Sequence, residues 1–120
     1  MALHVGLTVI HPGGLKATRA LADSCHLDGR ARVIDIACGK GTSAIYLAEN
    51  YGCKVVGTDI LPDLITQASR LAARRRVKGL VDFLVGDALD LPFSDGEFDC
   101  AVFQAMLVLV RTRDRRFGKR

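Results

Sequence analysis

A largely apolar run that ends in a glycine-rich turn most constrains the fold of this chain. Residues 32–38 (RVIDIAC) have the length and character of a strand that is buried on both faces. This strand leads directly into residues 39–41 (GKG), after which residues 42–50 predict a helix that is stopped by Gly52. A buried strand followed at once by a helix begins a βαβ unit, so the sequence predicts an α/β fold with a parallel sheet.

The alternation of strand and helix continues along the chain. Residues 55–59 (VVGTD) predict a second strand, and Pro62 starts a second helix that ends among the arginines at 74–76. Residues 81–85 predict a third strand, and residues 98–103 (FDCAVF) predict a fourth. The pattern indicates a partial Rossmann-like, doubly wound parallel sheet of about four strands in the order 3-2-1-4.

The positive charge of the chain is concentrated at one end. The whole sequence carries a net charge of +4, whereas residues 111–120 (RTRDRRFGKR) carry +5, which leaves −1 for residues 1–110. We therefore divide the chain into a globular domain over residues 1–110 and a basic C-terminal tail over residues 111–120. A nearly neutral domain gives no electrostatic support for binding nucleic acid, and attraction of RNA to the arginines of the tail is a minor alternative.

The cysteines and the apolar runs indicate the cellular compartment of the protein. The four cysteines are 13, 15 and 47 residues apart and form no C-x-x-C pair, so neither a zinc site nor a disulfide scaffold is predicted. The longest apolar run, residues 101–110, falls short of the roughly 18 residues of a membrane-spanning helix. Residues 1–10 lack the basic segment and cleavage site of a signal peptide. A soluble, cytoplasmic protein with buried thiols and no membrane partner is therefore expected.

The turn after the first strand has features of a nucleotide-binding loop. Gly39, Gly41 and Ala44 form a G-x-G-x-x-A pattern, which lets the backbone approach a ligand and the helix pack closely on the strand. Asp59 ends the second strand, 20 residues after Gly39, where a carboxylate can accept both hydroxyls of a ribose. A purely structural turn and a carboxylate that caps the next helix are the alternative interpretations. Together, the two features favour a nucleoside site.

Further residues around this turn help to identify the nucleoside. Asp35 lies inside the first strand, where the fingerprint for nicotinamide cofactors normally has apolar residues. A buried Asp35 without a ligand or a local donor would be costly. After the third strand, the Asp87 carboxylate could accept from an adenine amino group and the Ala88 amide could donate to the ring. A turn aspartate that satisfies its own loop is the alternative interpretation of Asp87.

Three segments in order carry a resemblance to a known family. VIDIACGKGT (33–42), VVGTD (55–59) and GDALDLPFSDGEFDCAV (86–102) resemble the successive motifs of class I S-adenosylmethionine-dependent methyltransferases. Within this family, the chain is most similar to the small-molecule enzymes typified by ubiquinone and menaquinone biosynthesis. The resemblance implies S-adenosyl-L-methionine as cofactor and transfer of its methyl group to an unidentified, small-molecule acceptor. Ala37 stands where the family more often has glycine.

The resemblance also implies roles for individual residues. Asp35, Gly39 and Gly41 would line the methionine moiety, with Asp35 favouring its ammonium group. Asp59 would hold the ribose hydroxyls. No histidine or carboxylate is assigned as a general base, and no metal ligand is expected.

The adenine and the sulfonium would meet residues later in the chain. Asp87 and Ala88 would contact adenine, and Gln104 would face the sulfonium and the acceptor. The complete set of expected cofactor-binding residues is Asp35, Ala37, Gly39, Gly41, Asp59, Ile60, Asp87, Ala88 and Gln104.

The sequence after the fourth predicted strand departs from the family. A six-strand doubly wound sheet needs two more strands, whereas this chain changes to the basic tail at Arg111. We therefore expect a truncated or split enzyme, in which residues 98–103 form an exposed sheet edge that pairs with a second copy or a complementing chain. The chain is interpreted as an enzyme by resemblance, and the missing strands put the activity of the isolated chain in question.

Two other functions stay open at this point. An NAD(P)-binding oxidoreductase fragment is one, because the G-x-G-x-x-A pattern with Asp59 also fits that fingerprint. A non-catalytic cofactor-binding subunit is the other, and the missing acceptor pocket favours it.

Overall fold

A mixed sheet of six strands forms the centre of the part of the chain that is described. The computed structural model describes residues 7–9, 18–20, 22–23, 27–87, 90–91, 93, 96–103 and 108–111. The strands are β1 (Leu7–Val9), β2 (Arg32–Ile36), β3 (Lys54–Asp59), β4 (Val81–Val85), β5 (Cys100–Phe103) and β6 (Val108–Arg111). Their order across the sheet is β1-β6-β5-β2-β3-β4.

The central four strands have the predicted topology. β4, β3, β2 and β5 lie side by side and pair in parallel, so the expected order 3-2-1-4 is confirmed. The first predicted strand ends at Ile36, two residues before Cys38, and the fourth begins at Cys100 instead of Phe98. In the register of the sheet, Asp35 lies opposite Gly57 on one side and Val102 on the other.

The fourth parallel strand does not lie at the edge of the sheet. β6 pairs with it antiparallel, from Cys100 opposite Arg111 to Phe103 opposite Val108, and β1 pairs antiparallel with the far side of β6. The prediction of an exposed edge at residues 98–103 is therefore wrong, and the expected association through that edge loses its structural basis. Arg111, which the charge analysis assigned to the tail, is the last residue of β6.

Two helices connect the parallel strands. α1 (Thr42–Tyr51) joins β2 to β3, and α2 (Pro62–Arg74) joins β3 to β4. α1 ends where the prediction has it: Gly52 takes a left-handed φ of 68° and donates its N–H to the Ala48 carbonyl at 3.0 Å. The helix residues that are buried are Ala44, Ile45, Leu47, Ala48, Ile65, Ala68 and Ala72.

α2 ends in a Schellman motif. The N–H of Arg76 donates to the Ala73 carbonyl at 3.3 Å, and the N–H of Val77 donates to the Ala72 carbonyl at 3.2 Å. Arg76 adopts a left-handed φ of 62°, and the side chain of Val77 is buried in the core. The motif reverses the chain into β4.

The core has two parts, one on each face of the sheet. On one face, α1 and α2 cover the aliphatic side chains of the parallel strands, and the buried Ala22 joins this cluster. On the other face, Ile34, Ile36, Phe98 and Ala101 form a second cluster, which contains no residue of α1 or α2. Both helices therefore lie on the same face of the sheet.

A pair of residues at the amino ends of the strands aligns β5 with β2. The carboxylate of Asp99 accepts the N–H of Arg32 at 2.9 Å, and the N–H of Asp99 donates to the Arg32 carbonyl at 2.8 Å. The Arg32 guanidinium lies 5.8 Å from the centre of the Phe98 ring. Sequence reasoning did not single out Asp99, because its partner is 67 residues away.

The cysteines for which the structure gives a position are buried free thiols, namely Cys38, Cys53 and Cys100. Cys25 lies outside the described residues. Across the described ranges, no helix has both the length and the apolar character needed to cross a membrane.

Candidate functional site

The turn after β2 is built from left-handed backbone. Ala37, Gly39 and Gly41 have φ values of 61°, 57° and 81°, so three residues in a run of five occupy a region that favours glycine. The N–H of Gly41 donates to the Cys38 carbonyl at 3.0 Å and closes the turn. The N–H of Cys38 donates to the Thr58 carbonyl at 2.8 Å, which fastens the turn to the end of β3.

The two glycines of the turn have different surroundings. A Cβ atom on Gly41 would lie 2.7 Å from the Phe83 ring and 2.8 Å from the Cβ of Ala68, so Gly41 is required by packing. A Cβ atom on Gly39 would meet nothing within 4 Å. Close packing of the turn therefore explains the glycine at position 41. It does not explain the glycine at position 39, beside which there is open space.

The carboxylate of Asp59 joins the turn to the beginning of α2. One oxygen accepts the N–H of Gly39 at 3.0 Å, and the other accepts the N–H of Leu61 at 3.0 Å. The alternative of a helix-capping carboxylate is not supported, because Leu61 is the N-cap residue itself and α2 has no side-chain capping hydrogen bond. Each carboxylate oxygen has a second lone pair, so Asp59 can still accept hydrogen bonds from a ligand.

Asp35 lies deeper than the other site residues. It is fully buried in β2, opposite Gly57 in the sheet. The pKa of the neighbouring Cys38 thiol is raised to about 12, mainly by burial and then by the negative charges of Asp35 and Asp59. Both carboxylates therefore lie close to one thiol at the turn.

The residues that follow β3 and β4 complete the described part of the site. Gly86 donates its N–H to the backbone carbonyl of Asp59 at 3.0 Å, which brings the loop after β4 next to the end of β3. The side chain of Asp87 is exposed, and its carbonyl accepts the N–H of Asp90 at 2.9 Å in a local turn. Ile60 is 64% exposed beside Asp59. Two other predicted residues, Ala88 and Gln104, lie outside the described residues.

Sequence reasoning missed the side chain that supports this turn. Phe83 of β4 lies over Gly57 of β3, where a Cβ would come within 2.5 Å of the ring, and reaches Gly41. A glycine inside an otherwise apolar strand is a sign of such a close approach, so Gly57 was the available signal. Phe83 and the glycines at 41 and 57 therefore fix the height of the turn above the sheet.

The arrangement can hold a polar ligand at the carboxyl ends of β2 and β3. Within the described residues it offers hydrogen-bond acceptors on Asp59, an open approach at Gly39 and exposed apolar surface on Ile60. Ligands of open α/β sheets bind in this position, outside the carboxyl ends of the strands.

Comparison with known proteins identifies relatives of this chain. A family model described as a methyltransferase domain matches residues 33–118, which include β2 to β6. The chain is 43% identical over 67 residues to a probable chloroplastic tocopherol O-methyltransferase of Oryza sativa subsp. japonica, covering 56% of this chain and 18% of that protein. It is 31% identical over 101 residues to the O-methyltransferase resE of Aspergillus sclerotiorum, covering 84% of this chain and 38% of that protein.

The chain is also similar to a methyltransferase of known structure. The crystal structure of a SAM-dependent methyltransferase from Thiobacillus denitrificans, in complex with S-adenosyl-L-homocysteine, has a TM-score of 0.68 and 30% identity, covering 78% of this chain and 38% of that chain. The chain thus spans less than half the length of these relatives. Because the family model matches more than half of its residues, this chain belongs to the class I S-adenosylmethionine-dependent methyltransferases.

Proposed function

We propose that this chain forms the cofactor-binding part of a methyltransferase that carries the methyl group of S-adenosyl-L-methionine to a small-molecule acceptor. The observation that supports this most is the pairing of Asp59 with the open glycine turn at Gly39, in a chain of this family. In this proposal the ribose hydroxyls bind the Asp59 carboxylate.

The residues of the turn suit the methionine end of the cofactor. Space lies beside Gly39, and an alanine there would fill part of it and strain the backbone. In this proposal Gly39 and Gly41 present backbone to the methionine moiety, and Ala37 lies beside them. In this proposal Asp35, which is fully buried in β2, favours the ammonium group.

A residue in the middle of β2 separates this cofactor from a dinucleotide. Asp35 stands where the fingerprint for nicotinamide cofactors has apolar residues. Asp59 fits both cofactors, because each contains a ribose. Asp35 and the family together favour the methyltransferase over the oxidoreductase alternative.

The adenine is proposed to lie between the loops after β3 and β4. The exposed side chain of Ile60 offers apolar surface to the ring, and the exposed Asp87 is proposed to accept from the adenine amino group. Ala88 and Gln104 complete the proposed set, with the amide of Ala88 toward the ring and Gln104 toward the sulfonium.

The acceptor is proposed to be a small organic molecule in the cytoplasm. Relatives of this chain include a tocopherol O-methyltransferase of Arabidopsis thaliana and an ajmaline N-methyltransferase of Rauvolfia serpentina. No residue of this chain is assigned as a base.

The chemistry divides between the cofactor and the protein. The bound cofactor supplies a methyl group that its sulfonium charge has already activated for in-line displacement. The residues of this chain bind and orient the cofactor, and they help to exclude water from the reacting atoms. Asp59 does so by fixing the ribose relative to the turn.

Calorimetric titration with S-adenosyl-L-homocysteine tests the proposal. We expect micromolar binding, on the order of −8 kcal/mol, for the wild-type chain. Asp59→Ala should weaken binding by about 1.5–3 kcal/mol, because hydrogen bonds to a charged group are lost. Asp63→Ala, which removes an exposed carboxylate from the first turn of α2, is the matched control and should bind like the wild type.

Two results would contradict the proposal. Equal affinity of the wild type and Asp59→Ala would remove Asp59 from the site. Tight binding of NADH by a folded sample that gives no heat with S-adenosyl-L-homocysteine would favour the oxidoreductase instead.

A further inference from the structure

The outer edge of β4 carries backbone groups that point away from the sheet. The Leu80 carbonyl accepts the N–H of Val55 at 2.9 Å, and the N–H of Gly86 donates to the Asp59 carbonyl at 3.0 Å. Because successive residues of a strand direct these groups to opposite sides, Phe83 and Val85 direct theirs outward. β4 ends the sheet order of the described chain, so no described strand pairs with this edge.

The surface around this edge is apolar and open. Val85 is 54% exposed and Leu84 is 42% exposed, although both are large aliphatic residues. Nearer the amino end of β4, a cleft of about 410 Å³ lies between α2 and β4, with Ala73 and Phe83 among its lining residues. Exposed apolar surface next to an open strand edge is typical of a site that adds a strand from another polypeptide.

The charge of the cleft favours an acidic partner. Arg70 on α2 and Lys78 before β4 are exposed and line the cleft, against a single carboxylate, that of Asp82. The excess of cations lies beside the strand edge, where alternate side chains of an added strand would project.

The same charge argues against a second copy of this chain as the occupant. Two identical edges pair antiparallel about a two-fold axis perpendicular to the sheet, which places both α2 helices on the same face, side by side. Arg70, which lines the cleft beside Val81 and Phe83, would then face Arg70 of the other copy and repel it.

We propose that the outer edge of β4 binds an extended acidic peptide segment of another protein by strand addition. The backbone of the segment pairs with Phe83 and Val85, and a carboxylate of the segment meets Arg70 and Lys78 in the cleft. Arg70, Lys78, Phe83 and Val85 are not among the residues that the proposed function assigns to the cofactor.

The test uses the full chain and two capped synthetic peptides. One peptide alternates glutamate with valine, and the other has lysine in place of glutamate. Amide chemical shifts of the ¹⁵N-labelled protein locate the binding, and fluorescence anisotropy of a labelled peptide measures the affinity.

We expect the glutamate peptide to shift the amides of Phe83 and Val85 most, and the lysine peptide to bind at least tenfold more weakly. Val85→Pro removes one outward N–H at a position where an edge strand tolerates proline, and it should abolish binding. Arg70→Glu should weaken binding at least tenfold, whereas the control Arg30→Glu, with the same change of charge at an exposed site before β2, should not.

Circular dichroism of each variant establishes that it folds, and Arg70→Glu carries the test if Val85→Pro does not. Equal binding of both peptides would overturn the proposal. So would amide shifts that avoid β4, or self-association of the chain that Val85→Pro abolishes, since the occupant would then be a second copy.

Discussion

Ala37 is a residue in a backbone conformation that suits glycine. Its φ of 61° places its Cβ close to the following carbonyl, which costs an L-residue about 1–2 kcal/mol. The backbone of Ala37 is therefore strained, in the turn that forms part of the proposed site. The departure from glycine that the sequence showed at this position has a direct physical cost.

Ala37→Gly should stabilise the protein. The relief of strain exceeds the extra entropy that glycine has in the unfolded chain, so we expect a gain of about 0.5–1 kcal/mol in the free energy of unfolding. Urea unfolding measures it. The matched control is Ala73→Gly, at an exposed helical position of α2, which should lose about 1 kcal/mol. A loss of similar size at both positions would show that Ala37 is not strained.

Single residues of the site differed in how far the sequence could predict their surroundings. The hydrogen bond between Asp59 and Gly39 joins motifs whose order and spacing already indicated that they meet. The sequence could not predict the contact between Phe83 and Gly57, because it depends on the register of β3 against β4. The side chain that supports the turn was therefore visible only in the structure.

At the scale of elements, the ends of helices and strands carry much of the specificity. α2 closes with a left-handed arginine at the position that most often holds glycine. Arg76→Gly should keep both hydrogen bonds of the Schellman motif and remove the strain. We expect a gain of about 1 kcal/mol in the free energy of unfolding, measured by urea titration. Arg74→Gly, two residues earlier at the last position of the helix, should have the opposite sign.

The contact between the Phe83 ring of β4 and Gly57 of β3 predicts how an added methyl group at position 57 changes the stability of the protein. In Gly57→Ala the new Cβ would lie 2.5 Å from Phe83 Cδ1 and 3.1 Å from Cys38 Sγ, so the ring must move. We expect a loss of about 1–3 kcal/mol in the free energy of unfolding.

A double-mutant cycle identifies the cause of that loss. In a Phe83→Leu background, Gly57→Ala should cost less, because the smaller side chain leaves room for the methyl group. Gly79→Ala, where a Cβ would meet nothing within 4 Å, should change the free energy of unfolding by less than about 0.5 kcal/mol. Additive effects of Gly57→Ala and Phe83→Leu would argue against the contact.

The sequence predicted the parallel elements better than the antiparallel ones. Residues 32–85 alternate strand and helix with clear turns, and each element is found within about two residues of its expected bounds. β1 has only three residues, too few for a periodic pattern. All of β6 except Arg111 falls within the apolar run at 101–110, whose single polar residue, Gln104, gives no clear turn signal between β5 and β6.

At the scale of the whole molecule, buried thiols make stability depend on pH. Burial, with help from Asp35 and Asp59, raises the pKa of Cys38 from 9.0 to about 12. The folded protein thus holds this proton more tightly than the unfolded chain does. The contribution is complete below pH 9 and is lost as pH rises from about 9 toward 12. Burial raises the pKa of Cys53 to about 11, which adds in the same direction.

In Cys38→Ala, the free energy of unfolding should therefore fall less steeply with rising pH above about 9 than it does in the wild type. The difference in free energy of unfolding between the wild type and Cys38→Ala should shrink as pH rises from 8 to 11, while the packing effect of the substitution stays constant. Urea titrations at several pH values measure both. A difference that does not change with pH would show that the thiol ionises equally in the folded and unfolded states.

The pairing of β1 with β6 governs the order in which the molecule can be assembled. Leu7 lies opposite Val110, so this contact closes a loop of nearly the whole chain, whereas β2, β3 and β4 meet over short separations. Loop closure over such a distance is slow, and the parallel strands should form first. On the ribosome, at about 5–20 residues per second, β1 emerges several seconds before its partner exists. During synthesis, the first strand made is consequently the last to find its place.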